Sequence, residues 1–446
     1  ALHDQRSVGG VKWRTLKPDS RNTWLPDDET AGFDAFLPVG SKGTKALDSL
    51  GAHAIFRTYS LGVSTNRDSV VYDFSSDRLA RRVSDFADDY NSEVSRYLRK
   101  KPSADELDVF LKTERIKWSR NLKNELKRGK FLEFDRSKIR SISYRPFTRQ
   151  YLYLDDIAVD EPAQSRVFSP VAAQHAPAIT LSDVGYRADF ATLMVDGVYD
   201  LHFAASSDAF QCFLLYTYDA DGGHRRDNVT NWALAQFKVQ YPQAKVTKAA
   251  IFHYVYAVLH HSAYREKYAA NLRRELPRIP FAPDFAAFAK AGEKLAALHT
   301  GYESQREYPL RRVEARGVKP DWRVERMKLS KDKTALVYND WLTLDGIPAE
   351  AHAYRLGHRS ALDWIVDQYR VERGRENPDE ILGDPNRSDD EEYIVRLVGR
   401  VVTVSVETMK LVRSLPSLGE DKPETDYTQA DLDAAHIYVA EDQPKD

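Results

Sequence analysis

The sequence predicts an α+β fold of several lobes, in which a mixed, β-rich part is followed by a helical part. Three observations lead to this prediction. The chain has 446 residues, which exceeds a typical single domain. Short apolar runs separated by polar and turn residues fill the stretch from Phe131 to Tyr218, and such runs are typical of strands. From Asn228 to Tyr302 the apolar residues instead recur with a helical period.

The elements before the β-rich part are mixed. Residues 1–75 predict extended, turn-rich structure, because Pro and Gly interrupt the short apolar pieces. Alternating apolar residues predict strands at Ala54–Tyr59 and Ser69–Phe74. We expect a helix that is capped by Ser76 and Asp77 and runs to about Lys100, and a second one from Ser103 to about Gly129, where the glycine ends it. The leucines of the second helix form one stripe, which leaves another face free to meet anions.

The following parts contribute strands first and helices afterwards. The candidate strands are ISY from Ile142, YLYL from Tyr151, AITL from Ala178, FATLMV from Phe190 and FQCFLLY from Phe210. The candidate helices are Asn231–Val239, Lys248–His261, Ala263–Glu275 and Asp284–His299.

The C-terminal part begins with a charged stretch, residues 303–333, whose weak periodicity predicts a solvent-facing connection. Strands TALVY from Thr334 and WLTL from Trp341 follow, and then helices over Ser360–Arg370 and Glu391–Leu415. The tail from Gly419 carries nine acids against two lysines and is expected to be loosely ordered. The predicted divisions are 1–75, a basic helical segment 76–130, a β-rich part 131–227, a helical part 228–302, a mixed α/β part 303–415 and an acidic tail 416–446.

The charges are distributed unevenly, although the net charge is only −2. From Lys112 to Arg149 there are thirteen Lys and Arg residues against four acids, a local net charge of +9. A segment of this kind predicts an anion-binding surface, and its candidates for phosphate contact lie on the second helix. These candidates are Lys112, Lys117, Arg120, Lys123 and Lys127.

Two short motifs place arginines beside turn residues at a strand edge. They are TNRD, with Asn66 and Arg67, and YRPFTR, with Arg145 and Arg149. A guanidinium group at such a place can bind phosphate or a guanine edge while the rings pack or stack. The alternative is an arginine bonded to a nearby aspartate with the tyrosines in the core. We count Asn66, Arg67, Arg145 and Arg149 among the candidates for phosphate contact. Of the roles of brace, phosphate clamp and base reader, we predict brace or clamp for Arg145 and Arg149.

Sequence motifs for chemistry are missing. The chain has no phosphate-binding loop, no GxGxxG turn, no GxSxG elbow, no CxxC pair and no NPPY or DPPY tetrapeptide. His253 and His260 share a helix face but lack further ligands, and the one cysteine, Cys212, sits in an apolar strand. We therefore predict no catalytic, cofactor or metal site.

The sequence lacks a signal peptide and an apolar span long enough for a bilayer, so we expect the chain to be cytoplasmic. The missing initiator methionine favours a piece of a longer protein.

Several strings in order resemble the C-terminal target-recognition, or specificity, region of type ISP single-polypeptide restriction-modification enzymes. The strings are YSLGVSTNRDSVVYDF from Tyr59, YRPFTRQYLY from Tyr144, DLHF from Asp200, QCF from Gln211, RRDNVTNWAL from Arg225, PRIPF ending at Phe281, GIP from Gly346 and VVTVSVET from Val401. The resemblance runs from about Trp13 to about Leu415. One departure is Thr148, where the family typically has an aspartate.

The resemblance implies sequence-specific recognition of double-stranded DNA. It also implies a parent enzyme with a nuclease, a helicase-like ATPase and an adenine-N6 methyltransferase, which would use ATP, Mg²⁺ and S-adenosylmethionine outside this chain. The methyltransferase and helicase domains of the same polypeptide would be its partners. Base readout would lie in stretches that lack the shared strings, Asp156–Ala188 and Tyr302–Lys333, with candidates Arg166, Arg187, Arg311, Arg312 and Arg323.

Two other classes of function remain. The chain could be a protein-interaction scaffold that docks a methyltransferase or helicase in a phage-defence system. It could also be an independent nuclease, for which only the pairs in ELK, from Glu125, and EDK, from Glu420, supply half of a site.

Overall fold

A computed structural model of the chain describes residues 32–45, 53–103, 105–160, 176–205, 207–219, 224–374 and 377–419. The helices of this part of the chain are α1 (Lys42–Lys45), α2 (Asp68–Val71), α3 (Ser76–Lys100), α4 (Leu107–Phe110), α5 (Arg120–Lys127), α6 (Asn231–Gln240), α7 (Lys248–His260), α8 (Ser262–Lys267), α9 (Ala269–Arg274), α10 (Phe285–Thr300), α11 (Ala349–Ala353), α12 (Ala361–Gln368) and α13 (Tyr393–Arg413). Together with the strands below, they confirm the predicted α+β class.

The strands are short and pair antiparallel. They are β1 (Leu37–Pro38), β2 (Ser60–Leu61), β3 (Tyr72–Asp73), β4 (Ile139–Arg145), β5 (Thr148–Tyr153), β6 (Pro177–Ser182), β7 (Thr192–Asp196), β8 (Phe210–Leu214), β9 (Tyr216–Thr217), β10 (Arg226–Asp227), β11 (Arg278–Ile279), β12 (Arg311–Glu314), β13 (Lys328–Leu329), β14 (Ala335–Val337), β15 (Leu342–Asp345), β16 (Arg355–Leu356), β17 (Arg359–Ser360), β18 (Glu372–Arg373) and β19 (Ile381–Gly383).

Three of the sheets have more than two strands. Their strand orders are β2-β8-β6-β7, β3-β5-β4 and β12-β15-β14-β13. The first sheet separates two hydrophobic cores. Alternate residues of its strands enter different cores, because successive side chains of a strand point to opposite faces. Ala178 and Cys212 pack into the core that includes α3 and α13, whereas Ile179 and Phe213 pack into the aromatic core around α7 and α10.

Helices α7 and α10 pack unusually closely against each other. Gly292 of α10 lies where an added Cβ would stand 1.8 Å from the carbonyl oxygen of His253 on α7. Only a residue without a side chain permits this approach. The helical part is therefore held together by direct backbone proximity as well as by its aromatic side chains.

Most of the strongly periodic elements were predicted correctly. Helix α3 ends at Lys100 as predicted, although its cap is Ser75 and not Ser76 or Asp77. The predicted strands of the β-rich part correspond to β4 to β8. The predicted helix over Ala263–Glu275 is instead two short helices, α8 and α9.

The single helix predicted over Ser103–Gly129 was wrong. Helix α4 ends at Phe110, and α5 begins only after Ser119, whose hydroxyl accepts a hydrogen bond from the Leu122 amide. The intervening chain buries Leu111 and Ile116, which cannot both face the core on one continuous helix together with Leu122. Burial of these side chains therefore overrides the local helical preference.

The predicted N-terminal strands were wrong at Ala54–Tyr59 and correct only in part at Ser69–Phe74, where β3 (Tyr72–Asp73) forms the second half. The stretch 303–333 faces solvent as predicted, but it also contains strands that were not predicted. Residues of Ala54–Tyr59 are buried on both faces and bond to loops, with only Phe56 forming an isolated bridge. The amides of Val70 and Val71 both donate to the Arg67 carbonyl, so the first half of Ser69–Phe74 belongs to α2 and only Tyr72 and Asp73 form a strand, β3. Residues 303–333 contain β12 and β13 and bury Val324 and Met327 in the core.

Candidate nucleic-acid interface

Four exposed cations form what we call the basic surface: Lys112, Lys117, Arg120 and Lys127. None of them has an acidic partner within 4 Å among the described residues. Arg120 and Lys127 lie seven residues apart on α5 and therefore share a face. The fifth candidate, Lys123, lies on this face between them but binds Asp108, with Nζ 2.6 Å from the carboxylate.

Helix α5 presents Arg120 and Lys127 to solvent because its opposite face is buried, whereas Lys112 and Lys117 lie on the connection that precedes it. Leu122 and Leu126 are fully buried in the core that includes α3. Glu125 on the same side is also buried and binds the two neighbouring cations, Arg128 and Lys130. These two charges are thus partly neutralised, whereas those of the basic surface remain available to an anion.

Arg67 anchors the start of α5. Its guanidinium group is buried and donates to the Ala158 carbonyl (2.5 Å), to the Ser119 hydroxyl (2.6 Å) and to Asp160 (3.0 Å). Asn66 donates to the same carboxylate at 2.6 Å. Burial lowers the pKa of Arg67, and Asp160 opposes that effect. Phosphate contact by Arg67 stays a prediction, and the side chain is 1% exposed, with Nη1 and Nη2 already donating inside the protein.

Arg145 of the YRPFTR motif is likewise a brace. Its Nη1 lies 2.6 Å from Asp200, and its guanidinium carbon lies 3.9 Å from the Tyr144 ring centroid. Asp200 also accepts hydrogen bonds from the Tyr72 hydroxyl and the His202 amide, both at 2.9 Å. Although burial opposes it, Asp200 raises the pKa of Arg145. Phosphate contact by Arg145 also stays a prediction, for a side chain that is 11% exposed and whose charge is already paired.

The rest of the motif joins the hairpin of β4 and β5 to the helical part. Arg149 binds Glu303, with Nε 3.0 Å from the carboxylate. Phe147 adopts a left-handed φ of 56° in the hairpin turn, and its buried ring contacts Tyr302 edge to face. Thr148, where the family typically has an aspartate, is buried and donates to the Pro146 carbonyl at 3.3 Å. DNA contact by Arg149 stays a prediction.

The arginines predicted to read bases are mostly exposed but paired. Arg187 binds Asp208 at 2.9 Å, and Arg312 binds Glu392 at 3.1 Å. Arg311 binds Asp345, and Arg323 binds both Glu325 and Asp384. Arg166 lies outside the described residues.

The sequence reasoning missed two cations of the stretch Tyr302–Lys333. Arg316 and Lys319 are exposed and have no acidic partner among the described residues. The sequence feature that could have identified them is the turn predicted by Gly317 and Pro320, which are their neighbours in the chain.

Groups that could do chemistry are buried or scattered. Burial raises the pKa of the Cys212 thiol to about 12, which keeps the thiol protonated at neutral pH. His260 and His299 lie in the core beside Tyr256, which bonds to His299 at 2.6 Å. Within the ranges that the structure describes, no group of three or more His, Cys, Asp or Glu residues could hold a metal ion, and no helix could span a membrane.

Comparisons with known proteins cover most of the chain. The family model described as Type ISP C-terminal specificity domain matches residues 54–397. The structure is similar to DrdV in a DrdV–DNA complex, with 34% identity over 92% of this chain and 41% of that chain, and a TM-score of 0.79. It is also similar to a nuclease-deletion mutant of the Type ISP restriction-modification enzyme LlaGI in complex with a DNA substrate mimic, with 31% identity, 93% and 37% coverage, and a TM-score of 0.77.

A third structure supports the fold alone. The ATP-dependent Type ISP restriction-modification enzyme LlaBIII, bound to DNA, is 24% identical over 90% of this chain and 25% of its own, with a TM-score of 0.76. The chain thus spans between 25% and 41% of the length of these structures. A comparison with curated proteins found no match.

Proposed function

Because this chain belongs to the Type ISP C-terminal specificity domain family, we propose that it is the target-recognition part of a type ISP restriction-modification enzyme and binds double-stranded DNA. DNA target recognition is what this family and its DNA-bound structural neighbours support. Within the chain, the basic surface carries the proposal, since unpaired exposed cations are the groups that replace counterions along a phosphate backbone.

The contacts around the basic surface suggest a fixed platform for the duplex. Ser119 and Asp160 connect the start of α5 to Arg67, and Leu122 and Leu126 hold the helix on the core. The helix that carries Arg120 and Lys127 is therefore in place before DNA arrives, which reduces the backbone entropy lost on binding. Phosphate contacts of this kind set the register and orientation of a protein on DNA but carry no sequence information.

We assign the chemistry of the enzyme to other parts of the polypeptide. These parts would be a nuclease, an ATP-dependent translocase and an adenine-N6 methyltransferase, which would use Mg²⁺, ATP and S-adenosylmethionine. This chain would hold the recognised duplex beside the methyltransferase in the cytoplasm, with the methyltransferase and helicase domains as its partners. The burial of Cys212 and the scattering of the other reactive groups support a binding role.

The test is the salt dependence of binding to a mixed-sequence duplex. We expect Lys112→Gln, Lys117→Gln, Arg120→Gln and Lys127→Gln together to weaken binding and to flatten the plot of log K against log salt by about 0.9 for each lost contact. A matched control changes four exposed lysines of the helical part to Gln, namely Lys238, Lys245, Lys290 and Lys294. It alters the net charge equally and should leave the slope unchanged.

Other outcomes would favour the alternatives. An unchanged slope in the first variant would remove the basic surface from the interface. No duplex binding by the chain at low salt would favour the protein-interaction scaffold. Mg²⁺-dependent cleavage by the chain alone would favour an independent nuclease.

A further inference from the structure

A protruding loop lies beside the third sheet. Strand β12 is at the edge of the order β12-β15-β14-β13, and all residues from Arg311 to Asp321 are exposed. The strand pairs with β15 on one side, and the loop Ala315–Asp321 continues from its end. Gly317 at its tip has a φ of 76°, and an added Cβ there would meet no atom within 4 Å. The tip therefore makes little contact with the rest of the chain.

The base of this loop is held firmly. Asn339 donates to the Asp321 and Arg323 carbonyls at 2.8 and 2.9 Å, and the Tyr338 hydroxyl donates to the Trp322 carbonyl at 2.7 Å. At the other end the Ala315 amide donates to the Trp341 carbonyl at 2.7 Å. The loop is thus an exposed tip on a rigid base, which is how binding loops are generally presented.

The charges of the stretch fall into two groups. Arg311, Arg312 and Arg323 bind acids of the same chain, as described above. Arg316 and Lys319 lie in the loop itself and have no such partner among the described residues. Of the paired arginines, Arg311 connects two strands of the sheet through Asp345, and the two unpaired cations lie in the exposed loop.

We propose that the loop Ala315–Asp321 enters a groove of the duplex, with Arg316 reading a base edge and Lys319 binding phosphate. The inference rests on the proposed function and deepens it. An unpaired guanidinium group can donate two hydrogen bonds to the edge of a guanine in the major groove. Val318, which is 42% exposed, gives the same loop an apolar contact of the kind that recognises a thymine methyl group.

The surface fits a polyanion better than a second protein. Protein interfaces have a core of contiguous apolar side chains from which charge is depleted. Here the exposed valines, Val313 and Val318, are separated by Glu314, Arg316 and Gly317. A duplex, by contrast, offers phosphates and base edges that Arg316 and Lys319 can bind.

The experiment is selection of preferred sites by the full 446-residue chain from duplexes with a randomised core. We expect Arg316→Ala to lose preference at one base pair by about 5- to 150-fold, while its affinity for mixed-sequence duplex changes little. Lys319→Ala should weaken all duplexes together and flatten the salt plot by about 0.9. Lys331→Ala, which removes an exposed lysine from the β13–β14 turn of the same sheet, is the matched control and should select the parent site.

Each result decides between the two proposals. If the parent chain selects a site and Arg316→Ala selects the same site equally well, the loop inference fails while the proposed function stands. If the parent binds duplex without preference, base reading by the loop also fails, although the basic surface keeps its role. If the parent does not bind duplex, both proposals fail. Melting temperatures should match throughout, because neither side chain has an acidic partner to lose.

Discussion

Arg145→Met should destabilise the protein strongly without specifically changing the choice of DNA site. The substitution leaves the Asp200 carboxylate, whose side chain is 3% exposed, without its cation. The Tyr72 hydroxyl and the His202 amide remain as its only hydrogen-bond donors in the described structure. Removing one partner of a buried ion pair costs about 3–5 kcal/mol, and solvent cannot screen the charge that is left.

Thermal melting followed by circular dichroism measures this effect. With a shift of about 2 °C for each kcal/mol in a large chain, the melting temperature should fall by about 6–10 °C. Arg140→Met is the matched control on the same strand, since its guanidinium group bonds only to backbone carbonyls. Adding Asp200→Asn to Arg145→Met should restore about 2 kcal/mol of the lost free energy of unfolding, because no buried charge is then left unpaired.

A normal melting temperature for Arg145→Met would contradict the role of Arg145 as a structural brace. If Arg145→Met melts within about 1 °C of the parent and loses preference at a single base pair, the buried ion pair is not what this arginine contributes. The YRPFTR motif would then belong to the base-reading surface.

Three further predictions concern other parts of the molecule. Arg67→Met should lower the free energy of unfolding by about 3–5 kcal/mol, whereas Ser119→Ala, which removes only a helix cap and one acceptor, should cost about 1 kcal/mol; equal losses in chemical denaturation would contradict the anchor described for α5. Gly292→Ala should cost 3 kcal/mol or more, since its Cβ would stand 1.8 Å from the His253 oxygen, and an unchanged melting temperature would show that α7 and α10 can separate freely. Stability should fall as the pH drops below about 6.5, because burial and Arg265 lower the pKa of His299 from 6.5 to about 3, so the unfolded chain takes up a proton that the folded chain refuses. The loss from this residue at pH 5 should be on the order of 2 kcal/mol, and His299→Asn should reduce the slope of melting temperature against pH between 8 and 5.

Local features of the sequence predicted the parts of the fold that local forces determine. Helix α3 was predicted, with its cap placed slightly too late, because capping residues and a long apolar stripe lie next to each other in sequence. Strand β12 was missed because all four of its residues are exposed, so its sequence has no alternation to detect.

The candidate site was harder to predict because its partners are distant in sequence. Arg67 and Asp160 are 93 residues apart, and Arg145 and Asp200 are 55 apart, so neither pairing has a local signal. The local net charge did locate the basic surface, but it could not separate Lys117, which is unpaired, from Lys138, which binds Asp155. Deciding which cation is available requires the tertiary structure, because the acids that neutralise the others come from remote elements.

The sheet β2-β8-β6-β7 limits how specificity can be transferred between relatives. Because Ala178 and Ile179 face opposite cores, a chimera joined near residue 228 would set new side chains against a sheet face adapted to the old ones. Such a hybrid would expose aromatic surface or trap cavities on one side of β6, and it would be prone to aggregation. Grafting single surface loops leaves both faces of this sheet intact. Successful re-engineering of the recognised site should therefore proceed by loop exchange, with the sheet and the helices behind it kept from one parent.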